Sequence, residues 1–163
     1  MQASARAALL TALALSLAST LCSARASEVP PAEPAALLKW LQAGSYKQWP
    51  KESGPHRSMG PHQGLVVTHL NPALDKSMAA KAAAHPKGSA AVKELQDSSG
   101  KLTGWAVSVK TAADSDGGKG WYWYEILGTT PGGTVTAQAN GVPLCSACHL
   151  RGKDLVLIPH PLD

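Results

Sequence analysis

Residues 90–110 read AAVKELQDSSGKLTGWAVSVK, and this stretch decides the fold. Two runs, Ala90–Gln96 and Leu102–Lys110, flank the turn-forming Ser98, Ser99 and Gly100. Trp105, Val107 and Val109 alternate with Ala106, Ser108 and Lys110, the period of two of a half-buried strand. The pair predicts a hairpin. Downstream, Trp121–Leu127 (WYWYEIL) predicts a third, aromatic strand. The polar residues 114–120 (DSDGGKG) lie between; their spacing does not fit a calcium-binding EF-hand loop, so they read as a turn. Residues 129–133 turn again, and residues 155–158 predict a short terminal strand.

Upstream, Leu65–Leu70 (LVVTHL) predicts a strand, and Asn71-Pro72 a helix start with Asn as N-cap and Pro at N1. The Ala-rich residues that follow extend this helix to Ala84, before Pro86. Another helix starts at Pro34 and stops at Gly44, with Leu37, Leu38, Trp40 and Leu41 as its apolar face. Residues 46–64 are broken by Gly54, Pro55, Gly60 and Pro61 and read as loop. No internal repeat is visible. The expected fold class is α+β, predominantly antiparallel β-sheet with two or three helices, in one domain over residues 35–163.

Composition narrows the function classes. With 44% hydrophobic and 16% charged residues, the 163-residue chain is an ordinary globular protein and no disordered one. Three cysteines are too few for a disulfide scaffold or a closed four-thiolate zinc site. Residues 1–26 predict a cleaved signal peptide: Arg6, a 15-residue apolar run over residues 7–21, and the A-x-A site Ala24-Arg25-Ala26. That run is shorter than the ~20 residues of a membrane span. Cys22 offers only a weak lipoprotein reading, because Leu21 precedes it where small residues are usual. Cleavage leaves 137 residues, of which Pro-rich residues 27–34 form a flexible leader. It also removes Arg6 and Arg25, so 13 basic residues face 11 acidic ones, a net of +2. No basic stripe remains, and no nucleic-acid partner is expected. The expected location is outside the cytoplasm, as for an exported protein.

The two cysteines left, Cys145 and Cys148, stand with His149 in C-x-x-C-H, the attachment signature of a c-type haem. Two thiols bond to the two haem vinyl groups, and the adjacent His sits beneath the iron as proximal ligand. A dithiol redox pair would lie after an early strand, whereas Cys148 is 15 residues from the end. A zinc half-site would need further ligands, and a disulfide across so tiny a loop gains little. One covalently attached haem c is therefore expected. Nothing after His149 offers a sulfur, so a sixth ligand would come from Met59, Met78, His56, His62, His69 or His85. His160 reads as a terminal surface residue. If none ligates, the iron is open on one side, to bind or transform a small molecule; a closed iron mostly passes electrons.

Tyr46-Lys47-Gln48-Trp49, Leu70-Asn71-Pro72, Pro86-Lys87-Gly88-Ser89 leading into Val92-Lys93-Glu94-Leu95, the GWAVSVK run of residues 104–110, the GWYWYE run of residues 120–125 and the late C-x-x-C-H follow one another in an order that resembles the cytochrome P-460 family. The resemblance covers about residues 40–161. It implies a mostly antiparallel β fold, often a homodimer, with a pocket above the haem. It also implies a lysine, here Lys93, bonded covalently to a carbon at the haem edge, which lets P-460 cytochromes oxidise hydroxylamine. Related members without that lysine, the β-sheet type of cytochrome c′, bind nitric oxide and carbon monoxide.

The implied partners are a small nitrogenous molecule or gas and a periplasmic electron carrier. By alternation Lys93 shares a strand face with Ala91 and Leu95, an odd place for a free ammonium. One departure matters: the distal carboxylate of the hydroxylamine-oxidising member falls at Ala106, leaving Glu94 or Glu125 to substitute. Trp105, Trp121, Tyr122, Trp123 and Tyr124 are left to wall a pocket or to pack the core. Three functions compete: haem-iron oxidation of hydroxylamine or handling of nitric oxide, gas binding without turnover, and electron transfer through a six-coordinate iron with Met59 or Met78.

Overall fold

The computed structural model describes residues 29–62 and 64–163. The signal peptide read from residues 1–26, with Arg6, Cys22 and the A-x-A site, lies outside them. The described residues form three helices and one six-stranded antiparallel sheet, the expected α+β class. The helices are α1 (Pro34–Gln42), α2 (Pro72–Ala79) and α3 (Pro143–His149). The strands are β1 (His56–Arg57), β2 (Leu65–Leu70), β3 (Ala90–Gln96), β4 (Leu102–Lys110), β5 (Trp121–Leu127) and β6 (Thr134–Asn140). They lie side by side in chain order, every neighbouring pair antiparallel. Among the described residues no helix is long and apolar enough to cross a membrane.

Each face of this meander carries its own core. On one face Leu37, Leu38 and Leu41 of α1, with Tyr46 and Trp49, cover Val92, Trp105, Val107, Val109, Tyr122, Tyr124 and Ile126. Nine residues are too few for a helix stable by itself in water. Burying Leu37 and Leu41 completely contributes about 2 kcal/mol each, and that packing holds α1 in place. The Glu33 carboxylate caps it, accepting from the N–H groups of Ala35 and Ala36. Gly44, at φ 68°, follows its end as expected of a glycine stop. On the other face Leu70, Ala91, Trp121, Trp123 and Ala137 are covered by Leu74 of α2 and by Leu155 and Val156 after α3.

Asn71 joins the two levels. Its Oδ1 accepts from Leu74 N–H, capping α2, and from Ala90 N–H at the start of β3; its Nδ2 donates to Gly88 O. Replacing it by Ala removes the cap and strands a buried N–H. Asn71→Ala should therefore lower the unfolding free energy by about 2–4 kcal/mol, read from urea denaturation.

Four expectations are corrected. Helix α2 ends at Ala79, not Ala84, because Lys81 turns left-handed (φ 53°) and its carbonyl accepts from Lys153 Nζ. Residues 155–158 form no strand; residues 153–156 close a tight turn with a single bridge. The loop of residues 46–64 contains the two-residue β1. Strand β6 was not expected at all: its only buried residue is Ala137, so no apolar stripe marks it.

Candidate functional site

The sheet register sets the floor of a cavity. Thr68 pairs with Lys93, Lys93 with Ala106, Ala106 with Glu125, and Glu125 with Ala137. These five residues form one row across β2 to β6 on the α3 side, and all five line a cavity of about 410 Å³. Cys145, Cys148 and His149 of α3, with Leu144, Leu157 and Ile158, line it from above. Its volume falls in the range of small-molecule and cofactor sites, and its lining is mostly apolar, with a few converging polar groups.

Helix α3 follows from Pro143 at its first turn. Cys145 and Cys148, three apart, share a helix face, and both thiols are free. Burial, with the charges of Glu125 and Cys148, pushes the Cys145 thiol up to about 11. Thiol–disulfide exchange wants the opposite shift, so the environment disfavours a dithiol redox pair.

His149 is fixed on two sides. Its Nδ1 lies 2.8 Å from Leu155 O, and a carbonyl can only accept, so Nδ1 carries the proton. Nε2 is the nitrogen left with a lone pair for a metal. The ring meets Trp123 edge-on, centroids 4.6 Å apart. Burial holds His149 below the ordinary histidine range, with the nearby charges of His62 and Lys93 adding to it against the Leu155 bond. Burial thus favours its neutral form.

Lys93 reaches this cavity on the face that alternation assigned it. Burial lowers its pKa, while Glu52 and Glu125 pull the other way. Glu125 also faces the cavity, two strand spacings from Lys93, about 10 Å. His62 Nδ1 lies 2.6 Å from Glu125 Oε2, and Thr136 Oγ1 donates to Oε1 at 3.1 Å. Burial raises the Glu125 pKa, but these bonds with the His62 and Lys93 charges outweigh it and hold the carboxyl below its usual range. Glu94, the other substitute, points away from the cavity: it accepts from the Tyr46 hydroxyl at 2.6 Å on the α1 side.

The candidate sixth ligands separate. His56, Met59 and His62 line the cavity, Met59 at its rim and 95% exposed. Met78 and His85 line a second cavity of about 230 Å³. His69 is buried against Tyr46 on the opposite face. His160 is no free surface residue: its Nε2 meets Asp75 Oδ1 at 3.1 Å. Of the five aromatics, Trp123 and Tyr124 line the cavity, and Trp105, Trp121 and Tyr122 pack the two cores. Among the described residues no group of three or more His, Cys, Asp or Glu could hold a metal ion, so a bare ion has no ready-made cage.

Sequence reasoning missed the His62–Glu125 pair and Glu52. Alternation within WYWYEIL does place Glu125 on the face of Trp121 and Trp123, a usable sign. Nothing in the Pro- and Gly-broken loop marks His62. Burial lowers the pKa of His69 and of His85. The unfolded chain then binds more protons than the folded one as pH falls below 6.5. Their stabilisation is complete above 6.5 and is lost toward their folded values; urea midpoints should fall over that window, and His69→Gln should shrink the fall.

No protein-family model matches the chain, and no curated protein matches it.

Proposed function

We propose that the chain is an exported c-type cytochrome of the P-460 kind, holding one haem in the cavity between α3 and the sheet. The observation that carries this is the convergence of Cys145, Cys148, His149 and Lys93 on one cavity, with His149 already held in the tautomer that ligates through Nε2. Cys145 and Cys148 would carry the thioether bonds near the C-terminus, and His149 would be the proximal ligand. The haem, when bound, supplies a redox-active iron able to take a small nitrogenous molecule or gas, with a periplasmic electron carrier accepting the electrons.

The chain's own residues supply the rest. Lys93, its pKa lowered by burial, presents more of the neutral amine; a bond from it to a haem-edge carbon would replace one N–H and one C–H, with two protons and two electrons leaving to a two-electron oxidant such as a peroxide. Glu125 would accept protons from bound hydroxylamine, the work for which Ala106 lacks a group. His62 holds that carboxylate ready and can pass its proton outward. Oxidation of hydroxylamine to nitric oxide releases three electrons and three protons, and Glu125 and His62 would take up the protons.

Ala106 favours a second reading, gas binding without turnover, since the floor beside Lys93 is small and apolar. Steady-state oxidation of hydroxylamine by protein matured with a haem-attachment system decides between them. Turnover supports the first; rapid binding of carbon monoxide or nitric oxide without turnover supports the second. A low-spin ferric spectrum would contradict both and favour the electron-transfer reading, with Met59 the methionine at the cavity. Under the first reading Glu125→Gln should slow turnover roughly 10²- to 10⁴-fold with haem attachment unchanged. Because the Glu125 pKa is lowered, the carboxylate form should persist as pH falls toward 4.5, so the wild type should outpace Glu125→Gln at every pH above that.

A further inference from the structure

The turn after α3 is built against backbone preference. Residues 153–156 close with Val156 N–H donating to Lys153 O at 3.0 Å, and both central residues have positive φ, Asp154 at 48° and Leu155 at 66°. Such turns ordinarily take Asn-Gly or Asp-Gly, because a branched side chain is strained there. Leu155 stands in that position and is buried. Non-glycine residues in sparsely populated backbone regions persist only where their surroundings over-determine them.

The surroundings do so here through one carboxylate. Asp154 Oδ2 meets Lys110 Nζ at 2.6 Å and accepts from His85 N–H at 2.6 Å. Its Oδ1 accepts from the Ser115 hydroxyl, which in turn accepts from Trp121 Nε1 at 2.8 Å. Lys110 is fully buried at the end of β4, on the face of Ala106 and Ser108, where it pairs with Trp121. Its ammonium also lies 5.8 Å from the centroid of the Trp121 ring. The clamp thus ties the turn to β4, to the loop before β5 and to the segment before β3. The turn offers the Leu155 carbonyl, which accepts from His149 Nδ1.

We propose that Asp154, gripped by Lys110 and Ser115, is a positioning residue that forces the strained turn to present the Leu155 carbonyl to His149, setting the tautomer, ring orientation and basicity of that ligand. The inference rests on the haem reading for its consequence: a stronger Nδ1–H bond makes Nε2 a stronger donor, which favours ferric iron. No part of Asp154 or Lys110 needs to touch the cofactor.

The test compares wild type with Asp154→Asn and with the double variant Lys110→Met/Asp154→Asn. The double variant leaves no buried charge unpaired, and so remains testable if the single variant fails to fold. In matured protein the variants should show a lower iron–histidine stretching frequency and a more positive midpoint potential. Unchanged values in a folded double variant would overturn the proposal and leave the clamp a structural feature only. If the wild type carries no covalent haem, the haem reading itself fails, and ¹⁵N NMR of the His149 ring in the haem-free full chain decides. A proton fixed on Nδ1 in wild type and a tautomer mixture in the double variant supports the proposal; the same tautomer balance in both overturns it.

Discussion

Replacing both Cys145 and Cys148 by Ala should leave the protein, exported and matured in the presence of a haem-attachment system, with no covalently bound haem. The effect is all-or-none because each thiol makes one bond and nothing else among the described residues can substitute: no other cysteine is described. Each single variant should keep one thioether and a reduced yield. The loss should not come from unfolding. Cys145 is only half-buried and Cys148 likewise, so each substitution should cost the fold no more than about 1 kcal/mol. Haem staining on a denaturing gel beside circular dichroism of the same sample separates the two causes. A folded double variant that still stains would refute the assignment of the thiols.

Lys93→Met should have the second largest effect. It keeps an unbranched stem on the cavity floor and removes the amine. If Lys93 bonds to the haem edge, the variant's reduced spectrum should become that of a common c-type cytochrome, and hydroxylamine oxidation should be lost while carbon monoxide still binds. The haem-free protein should respond in the opposite sense. Its partly buried ammonium is a cost to folding, so the variant should be more stable by about 1 kcal/mol at neutral pH. The sign follows from the lowered pKa of Lys93. Between the folded value and 10.5 the unfolded chain holds the extra proton, so wild-type stability rises with pH through that window. The advantage of Lys93→Met should shrink as pH rises toward 10.5 in urea titrations. An advantage that does not change with pH would show that Lys93 is not desolvated.

Much of the sheet was legible because its strands announce themselves by period. Val92, Trp105, Val107, Tyr122 and Tyr124 pack the α1 side, while Ala91, Trp121 and Trp123 pack the other, as alternation requires. The same period put Lys93 on the cavity face. What failed was governed by partners distant in sequence. Lys110 reads as the polar end of a strand, and only Asp154, 44 residues on, explains its burial. The Ala-rich run after Met78 has high helix propensity, yet tethers at Lys81 and His85 stop it. Residues 155–158 look like a strand by composition, but the clamp on Asp154 holds residues 153–156 in a turn. The cavity's acid was readable in place but not in pairing: Glu125 sits on the expected face, and its partner His62 comes from a loop with no pattern.

The proposed cofactor is one haem bonded to Cys145 and Cys148 with Lys93 at its edge. Intact mass and peptide mapping of the matured full chain read all of these bonds in one experiment. The expected result is a chain heavier by one haem, with the increment on the peptide holding residues 145–149 and a cross-linked product joining it to the peptide of Lys93. An unmodified mass with both thiols free to alkylate would contradict it.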